Sequence, residues 1–296
     1  MFKDLLALTK PGIIFGNLIA SVSGFLLAAQ GNVDFFLLAM MVIGTTLVIA
    51  SGCIFNNYID RDIDQKMART QDRALAQGRV SGSLALSLGT ITGALGFYTL
   101  YAGTNTMALL FGVIGFIVYV GFYTLRYKRS SVYGTLVGSL SGACPPVIGY
   151  VSVTGNFDVG AAILLVTFCF WQIPHSYAIA ICRYSDYKAA NIPVLPVEQG
   201  LEAARFHMYF YIMGFALAAL LLAERGYAGT IYTLVISLMS LYWLYLVKAG
   251  NKFQDEVAWG RKLFVFSIVT ITVFSVLISF DYVVKPVEDT VVLASL

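Results

Sequence analysis

The chain has 296 residues, of which 58% are hydrophobic and 12% are charged, against roughly 25% charged residues in an ordinary soluble domain. This composition leaves too few polar side chains to cover a soluble globule, and it also excludes disordered and fibrous proteins. The formal net charge of +3 excludes little, because the placement of the basic residues matters more than their sum. The sequence therefore predicts an integral membrane protein.

Nine apolar stretches are long enough to cross a bilayer, whose core of about 30 Å takes roughly 20 residues of helix. They lie near residues 12–29, 36–55, 83–101, 106–125, 135–153, 159–181, 206–223, 228–247 and 263–283. The stretches are too long and too uniformly apolar for the strands of a membrane barrel, and helices are the other way to satisfy the backbone in lipid. We therefore expect an all-α, polytopic fold of nine transmembrane helices.

The basic residues predict the orientation of these helices. All 19 Lys and Arg residues except Arg225 and Lys285 lie at the N-terminus or in the loops after even-numbered stretches. Because basic loops stay in the cytoplasm, we expect a cytoplasmic N-terminus and an external C-terminus in a bacterial inner membrane. An even number of helices would break this one-sided pattern, which supports the count of nine.

An acidic segment, NNYIDRDID, follows the second stretch at residues 56–64. If the helix continues, Asn56, Asp60 and Asp64 recur every four residues and stack on one face, with Asn57 beside them. Like charges at this spacing repel each other unless a cation lies between them. Mg²⁺ accepts carboxylate and amide oxygens and also binds substrate phosphates, so the segment predicts a magnesium site.

Basic residues around the acidic segment allow two interpretations. The carboxylates of a solvated helix end would simply pair with Arg61, Lys66 and Arg69. Arg69 and Arg73, however, are four residues apart, a spacing suited to gripping phosphate oxygens. Three acids and two amides emerging directly from an apolar helix favour the metal and phosphate interpretation.

A second acidic helix end follows the sixth stretch. Residues 171–196 read WQIPHSYAIAICRYSDYKAANIPVLP, and Asp186 has Arg183 and Lys188 beside it. In the same segment, Pro174 predicts a local break in the helix. His175 follows it, and a lone histidine in such a place is either a packing residue or a ligand.

Two acidic helix ends four stretches apart predict two structurally related halves around one cavity. We expect a single domain, 1–296, with weakly related halves at roughly 12–125 and 135–247 and a ninth helix at 263–283. The central cavity would open to the cytoplasmic side, where the long polar loops lie.

With these segments, the chain resembles the UbiA-type intramembrane prenyltransferases, whose first aspartate-rich motif is NDxxDxxxD. The segments that carry the resemblance are TKPGI at 9–13, ASGCIFNNYIDRDID at 50–64, YTLRYKRSSVYGTLVGSLSGACPPVIGY at 123–150, and the segment at 171–196. Asn57 stands in place of an acid in the first motif. Ala190 stands in place of the second acid of the DxxxD motif found in quinone-type members, a departure that fits the heme branch of the superfamily.

The resemblance implies transfer of a farnesyl group from farnesyl diphosphate to a vinyl group of heme B, which gives a hydroxyethylfarnesyl heme. Mg²⁺ would assist departure of the diphosphate, and water would quench the cation formed on the acceptor. The implied partners are farnesyl diphosphate, heme B, the lipid bilayer, and heme-processing or terminal oxidase proteins. No nucleic-acid partner is expected.

The resemblance also implies roles for individual residues. Metal ligands would be Asn56, Asp60, Asp64 and Asp186. The catalytic set would be Asp60, Asp64, Asp186 and Lys128. Substrate contacts would come from Asn57, Arg61, Arg69, Arg73, Tyr123, Arg129, His175, Arg183 and Lys188. Imidazole is a common ligand of heme iron, so His175 is expected to contact or orient the heme.

Two other functions fit parts of the sequence. A prenyltransferase for a quinone precursor or another aromatic acceptor would share the magnesium site, but it would be expected to carry a fuller DxxxD motif. A transporter would place acids near the bilayer midplane. Here the central parts of all nine stretches lack Asp, Glu, Lys and Arg, which favours a catalytic cavity open to one face.

Overall fold

The computed structural model describes residues 1–250 and 255–283, and within them nine long helices cross the length of the molecule. They are α1 Pro11–Ala29, α2 Phe35–Ile59, α3 Gly82–Gly103, α4 Thr106–Ser130, α5 Gly134–Thr154, α6 Val159–Cys182, α7 Gly200–Glu224, α8 Thr230–Ala249 and α9 Glu256–Phe280. Each is long and apolar enough to span a bilayer, which confirms the all-α, polytopic prediction. Of the basic residues used to predict orientation, Lys252 and Lys285 lie outside the described ranges.

Capping residues set the ends of these helices. The side chains of Asp34, Asn105 and Asp158 accept hydrogen bonds from backbone amides in the first turns of α2, α4 and α6. Asp255 does the same for α9, where Ala258 N lies 3.0 Å away. An N-terminal cap of this kind fixes where a helix begins, so α9 begins well before the predicted start at residue 263.

Helices α1 and α5 cross in backbone contact. A Cβ atom added to Gly149 would overlap the carbonyl oxygen of Ser21, and one added to Gly24 would overlap that of Pro146. Small residues allow transmembrane helices to approach this closely. Helix α5 is also the most deeply buried of the nine described helices, so this crossing lies at the centre of the bundle.

The C-terminal half of α4 is wound more widely than a regular α-helix. Residues Ile117–Tyr127 form a π-helix, and Thr124 Oγ1 donates a hydrogen bond of 2.8 Å to Tyr119 O. Segments of π-helix are rare in proteins, and those that are found often lie at functional sites. The rings of Tyr119 and Tyr123 stack with centroids 6.0 Å apart, and Tyr123 packs against Gly138 of α5.

Two loops contact each other beyond the ends of α2 and α6. The loop after α2 contains the short helix Arg61–Asp64, and the loop after α6 contains Tyr184–Ala189. An apolar cluster joins them, formed by Ile63, Met67, Ala190 and Ile192. This contact brings the two acidic helix ends predicted from the sequence to one side of the molecule.

Candidate active site

Asp60 lies at the point where α2 ends and is the most enclosed acid of the site. Its side chain has no exposed surface, and it forms an ion pair with Lys128, whose side chain is 17% exposed. Arg129 Nη2 lies 3.5 Å from the other carboxylate oxygen. A buried carboxylate requires such partners, so the two basic residues in the last turn of α4 complete the end of α2.

Asn56, one turn before Asp60, bridges three helices. Its Nδ2 donates to Asp60 Oδ2 at 2.8 Å and to Thr124 Oγ1 of α4 at 3.1 Å. Its Oδ1 accepts a hydrogen bond from the Lys10 ammonium, at the start of α1. The predicted stacking of Asn56 on Asp60 is therefore present as a direct hydrogen bond.

Sequence reasoning missed Lys10 as a site residue. Lys10 has a left-handed backbone conformation, with φ 54°, directly before Pro11, although the residue before a proline favours extended conformations. Burial lowers its pKa to about 8, with Arg73 and Lys128 near enough to contribute. Strained backbone of this kind clusters at functional sites. In the sequence, only the Lys-Pro pair could have pointed to Lys10 as a site residue.

Asp64 is bound by a different cation. Helix α2 ends at Ile59 and the chain turns at Asp60 into the short helix Arg61–Asp64, so the continuous helix assumed from the sequence is interrupted. Arg73 Nη1 lies 3.0 and 2.8 Å from the two oxygens of Asp64. Of the two arginines expected to contact phosphate together, Arg73 is bound to this carboxylate and Arg69 is exposed.

Asp186 is buried but its contact is with backbone. Its Oδ1 accepts a hydrogen bond of 3.0 Å from Ala68 N in the loop after α2. The next residue, Tyr187, has its pKa raised by burial, and Tyr123, Lys128 and Arg69 lie within electrostatic range of its hydroxyl. Tyr187 is thus a second residue that the sequence analysis missed. It brings the loop after α6 close to the basic residues Lys128 and Arg69.

The expected single cluster of Asp60, Asp64 and Asp186 is not formed. Over residues 1–250 and 255–283, no three His, Cys, Asp or Glu side chains are grouped closely enough to hold a metal ion. The three carboxylates stay apart because each is bound to its own partner, namely Lys128, Arg73 and the backbone amide of Ala68. The donors nevertheless fit Mg²⁺, which prefers carboxylate and amide oxygens, provided that the basic partners are drawn away by an anion.

Two observations indicate an anion site beside these acids. Lys10, Lys128 and Arg73 approach one another closely enough to interact electrostatically. Arg129 has an enclosed Nε with no hydrogen-bond partner in the described part of the chain. Its other nitrogens bind Asp62, at 2.7 Å, and Ile59 O. A basic cluster with a free buried donor suits a diphosphate.

Other candidates from the sequence face elsewhere. Asn57 donates to Leu8 O at 2.9 Å and to Cys53 O at 3.0 Å, so its amide holds the N-terminal segment and its own helix. Arg61 lies over the Tyr58 ring, 4.3 Å from the centroid. The remaining two, Arg183 and Lys188, are exposed.

His175 lies between α6 and α9. Its Nδ1 is 2.7 Å from Ser267 Oγ, and Ser267 Oγ donates to Phe264 O at 2.6 Å. With the serine hydrogen directed to Phe264 O, Nδ1 is assigned the ring hydrogen and Nε2 keeps its lone pair. Trp171 stacks on the ring at 4.7 Å, so the imidazole is held in one orientation with an acceptor nitrogen available to a ligand.

The helical bundle, with its paired acids and bases at one end, can be compared with known proteins. The sequence matches the UbiA prenyltransferase family over residues 17–269. The chain belongs to this family, which confirms the resemblance stated from its motifs and makes it a prenyltransferase rather than a transporter.

Close relatives carry a more specific name. A protein from Klebsiella pneumoniae, named protoheme IX farnesyltransferase, is 56% identical over 284 residues that cover 96% of each chain. A protein of the same name from Salmonella choleraesuis is 55% identical over the same length, with the same coverage. Both are full-length similarities to bacterial proteins.

Solved structures share the fold at low identity. A structure described as digeranylgeranylglyceryl phosphate synthase in membranes has a TM-score of 0.78 and 17% identity, and the match covers 95% of this chain and 98% of that one. A UbiA homolog from Archaeoglobus fulgidus, bound to DMAPP and Mg²⁺, has a TM-score of 0.66 and 18% identity, covering 93% and 100%. These matches show a common fold.

Proposed function

We propose that the chain transfers the farnesyl group of farnesyl diphosphate to a vinyl group of heme B and so forms hydroxyethylfarnesyl heme. The observation that carries the proposal is full-length similarity, at 56% identity, to a protein named protoheme IX farnesyltransferase. The buried acids and the basic cluster at the ends of α2 and α4 support the diphosphate half of the reaction. The missing second acid at Ala190 disfavours a quinone-type acceptor.

The basic cluster binds the diphosphate and stabilises it as a leaving group. Lys10, Lys128 and Arg73 supply positive charge, and the free Nε of Arg129 donates to a phosphate oxygen. Donors placed in advance where negative charge develops are a large source of rate enhancement. Tyr123 and Tyr187 line the approach from the two halves, and Arg69 adds charge at the exposed rim.

Asn56, Asp60, Asp64 and Asp186 are the residues that would hold Mg²⁺ with the diphosphate. When bound, the ion neutralises negative charge on the diphosphate and favours its departure. Arrival of an anion offers Lys128 and Arg73 new partners, which releases the carboxylates of Asp60 and Asp64 for coordination. Asp186 is tethered to the loop after α2 through Ala68 N, so loop contact keeps it near the other acids.

His175 serves the acceptor side. Its Nε2 lone pair can ligate or orient heme iron, and Ser267 and Trp171 fix the direction in which it points. Apolar surroundings exclude water from the allylic cation that forms when the diphosphate leaves. The two substrates therefore meet between α4, which carries Tyr123, and α6, which carries His175.

The orientation follows from the basic residues. We place the N-terminus and the loops after α2, α4, α6 and α8 in the cytoplasm of a bacterial cell, with the C-terminus outside the inner membrane. Farnesyl diphosphate, a charged molecule, then reaches the aspartates from the cytoplasmic side. Labelling of single cysteines in the segments 66–79 and 187–200 from outside intact cells would contradict this orientation.

One incubation tests the proposed reaction. Purified protein receives heme B, farnesyl diphosphate and Mg²⁺ in detergent or lipid, and the products are analysed by mass spectrometry. We expect a farnesylated, hydroxylated heme that is absent when either substrate is omitted. Farnesylation of a quinone precursor with no change in heme would establish the alternative acceptor.

A further inference from the structure

Gln172 of α6 carries a buried polar atom that the reaction described so far does not use. Its side-chain amide lies directly on Gly142 of α5, where an added Cβ would overlap the amide oxygen. The Oε1 atom is fully enclosed and has no hydrogen-bond partner in the described residues. An unsatisfied buried acceptor is destabilising, and within a membrane no bulk water relieves it.

The neighbouring turn of α5 is also rich in acceptors. Pro145 and Pro146 lie inside the helix and have no N–H, so they remove the donors that would bond the carbonyls of Ser141 and Gly142 in a regular helix. The Gln172 amide lies against this same turn. An enclosed amide oxygen without a donor, beside carbonyls that have lost their regular helical donors, suits a small molecule that brings its own hydrogens, and water is the usual one.

The position of Gln172 connects it with the reacting groups. Gly142 is one turn deeper in α5 than Gly138, against which the Tyr123 ring packs. Gln172 is one turn deeper in α6 than His175, which we assign to the heme. The amide therefore lies just beyond the place where the farnesyl group and the heme meet, on the side away from the cytoplasm.

We propose that Gln172, together with the carbonyl groups of Ser141 and Gly142, positions the single water molecule that adds to the vinyl carbon in the last step. This inference rests on the proposed function. Gln172 acts through the water and is a positioning residue, whereas the residues around Asp60 act on the diphosphate.

The step balances without an oxidant or reductant. The bond between farnesyl C1 and the diphosphate oxygen breaks, and its electron pair leaves with the diphosphate. The vinyl π pair then forms the bond to C1, which leaves a cation on the vinyl carbon attached to the ring. The water oxygen forms a bond to that carbon, and one water proton passes to the released diphosphate. Without a held water, the cation loses a proton instead and becomes an alkene.

The ratio of these two products tests the inference. Purified Gln172→Met, which keeps the length of the side chain but has no amide, is incubated with heme B, farnesyl diphosphate and Mg²⁺ in isotope-labelled water. We expect the hydroxylated product to fall by about tenfold relative to the product that is lighter by one water. Gln172→Glu keeps an acceptor oxygen and should restore the hydroxylated product with the label.

A matched control lies on the same helix. Thr167 has a buried hydroxyl that also lacks a partner in the described residues, so Thr167→Val should leave the product ratio unchanged. An unchanged ratio in Gln172→Met overturns the inference. Loss of farnesyl diphosphate consumption in both Gln172 variants would also overturn it, because a residue of the last step leaves ionisation intact. If the parent protein makes no farnesylated heme, the proposed function fails instead.

Discussion

The C-terminal ends of α2 and α6 carry the same kind of residue in different surroundings. At the end of α2, Asp60 and Asp64 are each held by a cation, Lys128 and Arg73. At the end of α6, Asp186 is also buried, but its hydrogen bond comes from Ala68 N. The carboxylates at the end of α2 are thus bound by side chains, whereas the carboxylate at the end of α6 is bound by a backbone amide.

This difference separates two tasks. Charged side chains can exchange partners when an anion arrives, whereas a backbone amide keeps its position. The end of α2 is therefore suited to respond to the diphosphate, and the end of α6 to hold the loop against which the site closes. Four predictions measure how far this contrast extends into activity and stability.

The largest effect is expected at the end of α2. Asp60→Asn and Asp64→Asn should each reduce turnover by about 10²–10³-fold, because each removes a charge that acts on the diphosphate through the metal. Asp60→Asn should also cost roughly 1–3 kcal/mol of stability, since Lys128 loses its charged partner in a largely enclosed position. Steady-state kinetics and thermal unfolding of the purified variants measure both effects.

A stability loss alone would not account for the kinetic effect. Asp64→Asn is the control, because its partner Arg73 is more exposed than Lys128 and the variant should unfold near the parent temperature. Near-normal turnover of both variants at saturating farnesyl diphosphate would remove the magnesium site from this end of the molecule.

A smaller effect is expected at the end of α6. Asp186→Asn keeps an oxygen that accepts the hydrogen bond from Ala68 N, so the loop contact should survive. We expect a loss of about 10- to 100-fold in apparent affinity for Mg²⁺, because the variant keeps an amide oxygen for the ion and loses only the negative charge. Titration of activity with Mg²⁺ gives this value. A loss as large as that of Asp60→Asn would mean that the two ends share one task.

The heme side should respond without affecting the diphosphate side. His175→Ala should weaken heme binding by about tenfold while binding of farnesyl diphosphate stays within error. Ser267→Ala removes only the partner of Nδ1 and should weaken heme binding by about threefold. Soret absorbance during heme titration measures both. Equal affinities in the parent and the two variants would make His175 a packing residue.

The smallest effect is expected at Asp62, whose side chain is 60% exposed. The hydrogen bond from Arg129 lowers its pKa to about 2 from 3.8. The depressed pKa stabilises the fold above pH 3.8, and this contribution is lost as the pH falls through 2. Asp62→Asn should cost less than about 1 kcal/mol at neutral pH, and this cost should vanish well below pH 2. A pH series of thermal unfolding would reveal any larger cost, which would place Asp62 inside the site.

The sequence predicts the helices well because the bilayer imposes a length and a composition on each one. It also predicts local contacts such as Asn56 with Asp60, which follow from helical spacing. Contacts across long stretches of chain are not visible in spacing. Lys10, directly before α1, contacts Asn56 near the end of α2, and Ser267 of α9 contacts His175 of α6. The end of α2 at Ile59 was also missed, because Asp60 turns the chain to reach its basic partners.

The crossing of α1 and α5 bears on how the proposed heme acceptor would reach the interior. Gly24 and Gly149 allow backbone to lie on backbone there, and a seam of this kind has no side chains that could swing aside. We therefore expect α1 and α5 to stay in contact at this crossing. A rigid planar substrate would then enter between helices that are separated by larger side chains. A bulky residue at Gly149 would force the seam open, so this position limits how far the bundle can be redesigned for larger acceptors.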